Sequence, residues 1–182
     1  MHRLAPLELM LGSDEKQGGE RRPNLRVVIS HDHRGQKGSE CVKTTIAQLG
    51  HERIDFGPEE EGVVDCPDFA YAAATAVAQK KADTAILLCT TGVGMSMSAN
   101  KVKGIRAARC CDELDARAAR LQFDANVLCL SGEMLGKNLP RRVVETWLST
   151  DFGDQERSER LIRKIKAIEQ GHDPRQISRA DG

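Results

Sequence analysis

The chain has 182 residues, of which 27 are basic and 27 acidic, so its formal net charge at neutral pH is zero. A chain of this length can bury a hydrophobic core in one domain. The balanced charge gives no reason to expect nucleic acid or an anionic membrane surface as a partner. No apolar run approaches the ~20 residues that span a bilayer. These observations exclude the nucleic-acid-binding and membrane-protein classes and predict a globular domain.

Six cysteines are scattered through the apolar segments, and none forms a Cys-x-x-Cys pair. Zinc sites and disulfide frameworks depend on characteristic cysteine spacings. We therefore expect reduced thiols in a cytoplasmic chain, without a disulfide framework or a zinc site. The apolar patch within residues 1–10 is broken by Pro6 and Glu8, which makes it a poor secretory signal.

Short apolar runs alternate with helical segments along the chain. Residues 1–24 are polar and glycine-containing, and we predict a flexible or loosely docked extension. The predicted strands cover residues 25–30, 52–56, 84–88, 105–108 and 127–130. The predicted helices cover residues 35–49, 67–81, 95–101, 112–121, 139–150 and 156–170, and a polar tail follows at 171–182. This alternation predicts one domain, residues 25–170, with a Rossmann-like three-layer α/β/α sandwich on a five-stranded parallel sheet.

The stretch at residues 85–95 is central to the functional interpretation. Four apolar residues run into Cys89, two threonines and a Gly-x-Gly at 92–94, and a helical pattern resumes at Met95. The apolar run is too short for a buried helix and suits a strand covered on both faces. The glycines allow a tight turn close to a ligand, and the free N–H groups of the following helix favour an anion. Because ligands of open α/β sheets bind at the carboxyl ends of strands, the candidate site lies here.

Cys89 and Thr91 each have a structural and a functional interpretation. A free cysteine is usually an apolar core residue, but a position between a strand and a helix start favours the thiolate. A thiolate can act as a nucleophile or as a base that abstracts a proton. Thr91 could cap the helix or hydrogen-bond a substrate oxygen. The position of Cys89 favours the functional interpretation.

His31, Asp32 and His33 follow the first strand and could be turn residues. Two histidines flanking an aspartate suggest a metal, but alternate strand residues point to opposite faces and no third ligand has suitable spacing. We therefore expect no metal, and Asp32 and His33 remain candidates at the same sheet edge as Cys89. The Gly-x-Gly at 92–94 is a weak nucleotide-binding signature, because it lacks a third glycine and follows the third strand.

Five short motifs occur in order and at familiar spacings. They are Ser-His-Asp-His-Arg-Gly at 30–35, Cys-Thr-Thr-Gly-Val-Gly at 89–94, Ser-Ala-Asn-Lys at 98–101, Gly-Ile-Arg-Ala at 104–107 and Asp-Ala-Asn-Val-Leu at 124–128. With these motifs the chain resembles the ribose-5-phosphate isomerase B / galactose-6-phosphate isomerase family over residues 25–170. The resemblance implies aldose–ketose isomerisation of a phosphorylated sugar through a cis-enediolate, with no metal or organic cofactor. It also implies a homodimer or tetramer with active sites between subunits.

The resemblance implies roles for the residues around the glycine loop. Cys89 is the implied base that moves a proton between C1 and C2 of the sugar. Thr91 is implied to assist at the sugar oxygens. The amides of Gly92, Val93 and Gly94 would stabilise the enediolate in the manner of an oxyanion hole.

Further implied substrate-binding residues come from three other segments. Asp32 is placed near the ring oxygens and His33 near the phosphate, and Asn100 belongs to the Ser-Ala-Asn-Lys motif. The arginines of the last helix could form a solvated face, or could bind a phosphate through two parallel hydrogen bonds. Of these, Arg157 is the implied phosphate clamp, and Arg160 is a substitute for a second arginine that is out of register.

The sequence departs from the family pattern at four positions. Gln122 stands where the family has its ring-opening histidine, and glutamine cannot take up a proton near neutral pH. Phe123, Cys66 and Glu133 stand where the family has an asparagine, a tyrosine and often an arginine. These departures predict that proton transfer is retained while ring opening and substrate recognition are altered.

Two functions from different classes are consistent with this pattern. The leading hypothesis is an isomerase of ribose 5-phosphate or a related sugar phosphate, and the loss of the histidine favours an open-chain substrate such as a tetrose phosphate. The alternative is a non-catalytic sugar-phosphate-binding homologue or an inactive partner subunit, and a nucleotide-binding module is a distant third. Exchange of the substrate C2 proton with deuterated water distinguishes an enzyme from a binding protein.

Overall fold

The structure, a computed structural model, describes residues 24–59, 62–133, 139–153 and 156–177. The strands are β1 (Arg26–His31), β2 (Glu52–Asp55), β3 (Thr84–Cys89), β4 (Ala107–Arg109) and β5 (Val127–Ser131). The helices are α1 (Gln36–Gln48), α2 (Cys66–Ala78), α3 (Val93–Ala99), α4 (Glu113–Phe123), α5 (Leu139–Ser149) and α6 (Glu156–Glu169). No helix in these ranges is long and apolar enough to cross a membrane.

The five strands form one parallel sheet in the order β2-β1-β3-β5-β4. All six residues of the central strand β3 are buried, because helices cover both faces of the sheet. In the register of the sheet, His31 of β1 lies beside Leu88, and Cys89 lies beside Ser131 of β5. The carboxyl ends of β1, β3 and β5 therefore lie side by side. The parallel sheet between two helical layers confirms the predicted sandwich.

Alternate strand residues point to opposite faces of the sheet and form two hydrophobic cores. One face packs against α1, α4 and α5, and its core includes Val27, Ile29, Ile86, Leu88 and Trp147. The other face packs against α2 and α3, and its core includes Val28, Leu87, Cys89, Met95 and the alanines of α2. Each fully buried Val, Leu or Ile side chain contributes about 1.5–3 kcal/mol. The cores therefore fix both layers and place the Cys89 side chain under α2 and α3.

Two element boundaries near the glycine loop differ from the sequence prediction. Strand β3 continues through Cys89, and helix α3 begins at Val93, two residues earlier than predicted. The helix begins early because Gly92 takes a φ of +78° and completes the turn at its N-cap. Strand β4 starts two residues later than predicted and reaches Arg109.

The predicted terminal segments lie mostly outside the described residues. Of the N-terminal extension, only Asn24 is described. In the C-terminal tail, Pro174–Gln176 form a 3-10 turn, and the Lys164 Nζ donates to the Pro174 carbonyl at 2.7 Å. This hydrogen bond joins the beginning of the tail to α6.

Candidate active site

The first group of candidate residues lies where β1 and β3 end beside each other. The connection after β1 passes through α1 on one face, and the connection into β3 comes from α2 on the other face. This change of direction leaves a crevice at the carboxyl ends of the two strands, where ligands of open α/β sheets bind. The Asp32 N–H donates to the Leu88 carbonyl at 3.2 Å, so the turn after β1 is attached to β3.

Cys89 is the last residue of β3, and its side chain is only 5% exposed. Its Sγ accepts a hydrogen bond from the Gly92 N–H at 3.1 Å. Its carbonyl accepts the Gly132 N–H at 2.8 Å. The turn depends on glycine, because Gly92 has a positive φ and a Cβ there would lie 3.0 Å from the backbone carbon of Leu130. The loop thus holds an amide donor against the sulfur, where it stabilises negative charge.

Thr91 has the capping contact expected of its structural interpretation. Its Oγ1 accepts the Val93 N–H at 3.3 Å. Its carbonyl accepts a hydrogen bond from the Arg109 Nε at 2.8 Å. The Thr91 hydroxyl keeps its proton for a second partner, so capping and a role at a substrate oxygen are compatible.

Asp32 also has the turn contacts expected of its structural interpretation. It is 6% exposed, and its Oδ1 accepts the N–H groups of Arg34 and Gly35 at 2.9 and 2.8 Å. These bonds fix the carboxylate at the mouth of the crevice. Among the described residues, both of these hydrogen bonds are made to Oδ1, and we assign the second oxygen to a ligand.

The two neighbouring histidines are held by main-chain groups. The Nδ1 of His33 lies 3.2 Å from the carbonyl oxygen and 3.3 Å from the nitrogen of Val64. The buried His31 places its Nδ1 3.0 Å from the Asp32 carbonyl oxygen. No group of three His, Cys, Asp or Glu side chains in the described ranges is arranged to hold a metal.

Cys66 brings a second thiol into this region. It is the first residue of α2, and a Cβ placed on Gly94 would lie 2.6 Å from its Sγ. Burial is the largest cause that raises the pKa of the Cys66 thiol, and negative charge on Cys89 and Asp32 raises that pKa further. In the sequence, Cys66 is distinguished only as a departure from a family pattern. We use the term thiol pocket for Asp32, Cys66, Cys89, Thr91 and the loop at 92–94.

Arg109 was not singled out from the sequence. It lies at the carboxyl end of β4, where its Nε donates to Thr91 and its Nη1 lies 2.9 Å from the Sγ of Cys111. It therefore supports the glycine loop from the neighbouring strand end. Extending the predicted fourth strand by one residue would have placed Arg109 at this edge.

Glu133 lies 3.9 Å from Arg34 in an exposed ion pair.

Gln122 and Arg157 lie at the opposite edge of the sheet from the thiol pocket. Helix α4 starts after the carboxyl end of β4 and, at 1.5 Å per residue, runs back about 16 Å. Gln122 is near its last residue. Gly153 lies there too, because its N–H donates to the Leu121 carbonyl at 2.9 Å. Arg157, in the first turn of α6, is four residues further along the chain.

Asn100 and Arg160 have partners outside the thiol pocket. The Asn100 Oδ1 accepts the Ala107 N–H, and its Nδ2 donates to the Ala107 carbonyl, both at 2.8 Å. Asn100 thereby joins the end of α3 to the start of β4. The Arg160 Nη1 lies 3.6 Å from the Oε1 of Glu156. We use the term distal group for Asn100, Gln122, Arg157 and Arg160.

Comparison with known proteins agrees with this architecture. Residues 27–165 match the family model described as Ribose/Galactose Isomerase. A putative sugar phosphate isomerase of Bacillus subtilis, YwlF, is 40% identical over 129 residues, which are 70% of this chain and 87% of that protein. The D-erythrulose-4-phosphate isomerase 2 of Mycolicibacterium smegmatis is 34% identical over 149 residues, covering 80% of this chain and 97% of that protein.

A solved structure with a bound sugar phosphate has the same fold. The ribose-5-phosphate isomerase B of Mycoplasma genitalium with bound ribulose-5-phosphate matches with a TM-score of 0.75 and 35% identity, over 80% of this chain and 96% of that one. Family match, sequence relatives and fold all agree. The chain belongs to the ribose/galactose isomerase family and is a sugar-phosphate aldose–ketose isomerase of that type.

Proposed function

We propose that this protein interconverts the aldose and ketose forms of ribose 5-phosphate or a related sugar phosphate, with Cys89 as the base. The observation that carries this proposal is the contact between the Cys89 sulfur and the Gly92 amide at 3.1 Å. It joins a buried thiol to a main-chain donor at the crevice between β1 and β3. A base that removes a proton from carbon needs a position that is shielded from water and where nearby donors stabilise its negative charge.

The proposed reaction moves one proton between two carbon atoms. The Cys89 thiolate takes the proton from C2 of the aldose, which leaves a cis-enediolate. The C2 hydroxyl proton moves to the C1 oxygen, and Cys89 returns its proton to C1 to give the ketose. Within the glycine loop, the Gly92 and Val93 amides donate to the Cys89 Sγ and the Thr91 Oγ1, so we assign the stabilisation of the negative charge on the sugar oxygens to the Gly94 amide. Thr91 and Asp32 contact those oxygens, and the reverse reaction uses the same groups.

We propose that the distal group acts in the active site of a second subunit. Gln122 and Arg157 lie at the sheet edge opposite Cys89 in one protomer, so they can reach a thiol pocket only from a neighbouring copy. Exposed apolar side chains support association, among them Phe123 beside Gln122 at 36% exposure and Met97 on α3 at 66%. A dimer or tetramer would then bring Asn100 and a phosphate-binding arginine, Arg157 or Arg160, from one subunit beside His33 of another.

Gln122 favours an open-chain sugar phosphate as the substrate. A five-carbon sugar phosphate spends most of its time as a ring, which must be opened by a group that exchanges a proton. Glutamine cannot do this near pH 7, whereas a four-carbon 4-phosphate cannot close the usual ring. The relative in Mycolicibacterium smegmatis is named for such a four-carbon substrate.

Proton exchange tests the proposed chemistry directly. The protein is incubated with ribose 5-phosphate or erythrose 4-phosphate in deuterated water, and the C2 proton is followed by NMR. We expect exchange and ketose formation, and about 10²–10⁴-fold less of both in Cys89→Ser. The matched control is Cys41→Ser, which changes a thiol on α1 outside the thiol pocket. Binding without exchange would instead support the non-catalytic alternative.

The proposed location is the cytoplasm. All six cysteines are free, and a base that works as a thiolate requires reducing surroundings.

A further inference from the structure

The thiol pocket holds two sulfur atoms, one at the end of β3 and one at the start of α2. The Cys89 Sγ is bonded to the Gly92 N–H at 3.1 Å. Two residues further along the same turn, a Cβ on Gly94 would lie 2.6 Å from the Cys66 Sγ. Both sulfurs therefore contact one short segment of main chain. The isomerisation proposed above uses only Cys89, so the second thiol has no assigned role.

The two thiols are in unlike surroundings. The Cys89 sulfur receives a main-chain hydrogen bond that stabilises its negative charge. Cys66 is flanked by negative groups instead: burial, followed by charge on Cys89 and Asp32, raises the pKa of its thiol. Oxidants attack thiolates faster than thiols. The Gly92 amide therefore assigns the attack on the oxidant to Cys89, and Cys66 is the thiol held next to it.

We propose that Cys89 and Cys66 form a reversible disulfide when the protein meets a hydroperoxide, and that this bond turns the enzyme off. The loss of activity rests on the proposed function, because it requires Cys89 to be the base. The disulfide itself rests only on the positions of the two sulfurs. Its formation would protect Cys89 from irreversible oxidation.

The chemistry takes place in two balanced steps. The Cys89 thiolate attacks one peroxide oxygen, an S–O bond forms as the O–O bond breaks, and with hydrogen peroxide the leaving hydroxide takes a proton to become water. Sulfur loses two electrons and the peroxide gains them. The Cys66 sulfur then attacks the Cys89 sulfenic acid, an S–S bond forms, and the S–O bond breaks. The departing hydroxyl and the Cys66 proton leave as a second water.

The other cysteines are placed less favourably. Cys129 is on the same face of the sheet, but it is fully buried and opposite Leu87, not Cys89. Cys110 belongs to the core on the opposite face. Cys41 is on α1, and Cys111 is exposed beyond β4. None of these four thiols adjoins the glycine loop as Cys66 does.

Peptide mapping gives a readout that does not depend on activity. The protein is treated with hydrogen peroxide, free thiols are blocked with N-ethylmaleimide, and a non-reducing tryptic digest is analysed by mass spectrometry. We expect the peptide 54–80, with Cys66 as its only cysteine, linked to the peptide 82–101, with Cys89 as its only cysteine. In parallel, isomerase activity should fall about tenfold or more and return with dithiothreitol.

Matched variants separate the disulfide from the enzyme activity. Each is compared with its own untreated sample. Cys66→Ser should give no linked peptide, and its activity after peroxide should not return with dithiothreitol, because Cys89 oxidises beyond the sulfenic acid. Cys41→Ser should behave as the wild type does. Linkage of Cys89 to Cys129, or oxidised Cys89 with free Cys66 in the wild type, would overturn the proposal. A linked pair in a protein without isomerase activity would count against Cys89 as the base and leave the disulfide standing.

Discussion

The backbone of Gly94 lies directly against the sulfur of Cys66, since a Cβ at position 94 would be 2.6 Å from that atom. A distance below 3.0 Å requires one of the two side chains to move. Gly94→Ala should therefore lower the free energy of unfolding by less than the usual overpacking cost of about 1–3 kcal/mol, because the sulfur is the end of a side chain that can rotate away. Urea denaturation measures this change.

The same contact predicts a rescue. Adding Cys66→Ala to Gly94→Ala removes the atom that the new methyl group meets, so most of the lost stability should return. The two single variants and the double variant form a thermodynamic cycle in which the coupling is favourable. If the changes in the free energy of unfolding of the two single variants simply add in the double variant, the side chains at the two positions are not in steric conflict.

Gly92 is expected to tolerate alanine least among the glycines with positive φ. Its φ is +78°, and a Cβ would lie 3.0–3.3 Å from three backbone atoms of Leu130. Gly92→Ala should shift the turn, weaken the amide contact to Cys89 and reduce kcat. Gly50 is a matched control, because its φ of +76° is nearly the same and nothing lies within 4 Å of its Cβ position. Gly50→Ala should cost only the left-handed backbone strain of about 1–2 kcal/mol and leave kcat unchanged.

The cysteines are expected to react with iodoacetamide in an order set by their surroundings. Burial is the main cause that raises the pKa of Cys110 to about 12, and burial also raises the pKa of Cys129. Both thiols are also buried, so they should be labelled last. Cys89 should be labelled first at pH 7, and a bound sugar phosphate should protect it. Mass spectrometry of samples labelled at pH 7 and pH 9 measures the order, and equal labelling of all six thiols would contradict an activated Cys89.

Gln122 determines whether ring opening limits the reaction. Gln122→His should raise activity on ribose 5-phosphate, because imidazole exchanges a proton near pH 7, and should change little with erythrose 4-phosphate. Phe123 lies next to it, so the double variant Gln122→His with Phe123→Asn should be assayed beside the single one. A wild-type protein already fast on ribose 5-phosphate, and unaffected by either variant, would show that another group opens the ring.

Arg26 and Asp83 connect β1 to the turn before β3 and make stability depend on acid pH. The hydrogen bond from Arg26 is the main cause that lowers the pKa of Asp83, and burial opposes it. A carboxyl whose pKa is lower in the folded than in the unfolded state, where it is about 3.9, stabilises the fold at pH values above the unfolded-state pKa. This stabilisation is lost as the pH falls through the folded-state pKa. Asp83→Asn should therefore be less stable than the wild type at pH 7, and the difference should shrink below pH 4. Denaturant titrations at both pH values measure the difference, and a constant gap would rule out this carboxyl as its source.

The sheet could be predicted because its strands are encoded locally in the sequence. The run at residues 84–89 is apolar and short, and it ends in glycines, so its strand and turn follow from local chemistry alone. The start of α3 could not be predicted correctly, because it depends on the left-handed conformation of Gly92, which packs against the backbone of Leu130.

The thiol pocket was predicted more completely than its supporting contacts. Strand ends brought Asp32 and Cys89 to one edge, as expected from a parallel sheet. The support that Arg109 gives to Thr91 depends on how far β4 extends, and the approach of Cys66 to Gly94 depends on how two helices pack. Both are tertiary contacts between distant parts of the chain, and no local pattern encodes them.

The separation of Gln122 from Cys89 has a consequence for how paralogous chains evolve. In the proposed assembly, a mutation at position 122 alters the chemistry of the neighbour's pocket and leaves the mutated chain's own thiol untouched. Two duplicated genes that differ at this position would then produce mixed oligomers. In these, the base of each active site comes from one gene product and its ring-opening residue comes from the other. The substrate range would then depend on both genes together, and neither gene product alone would determine it.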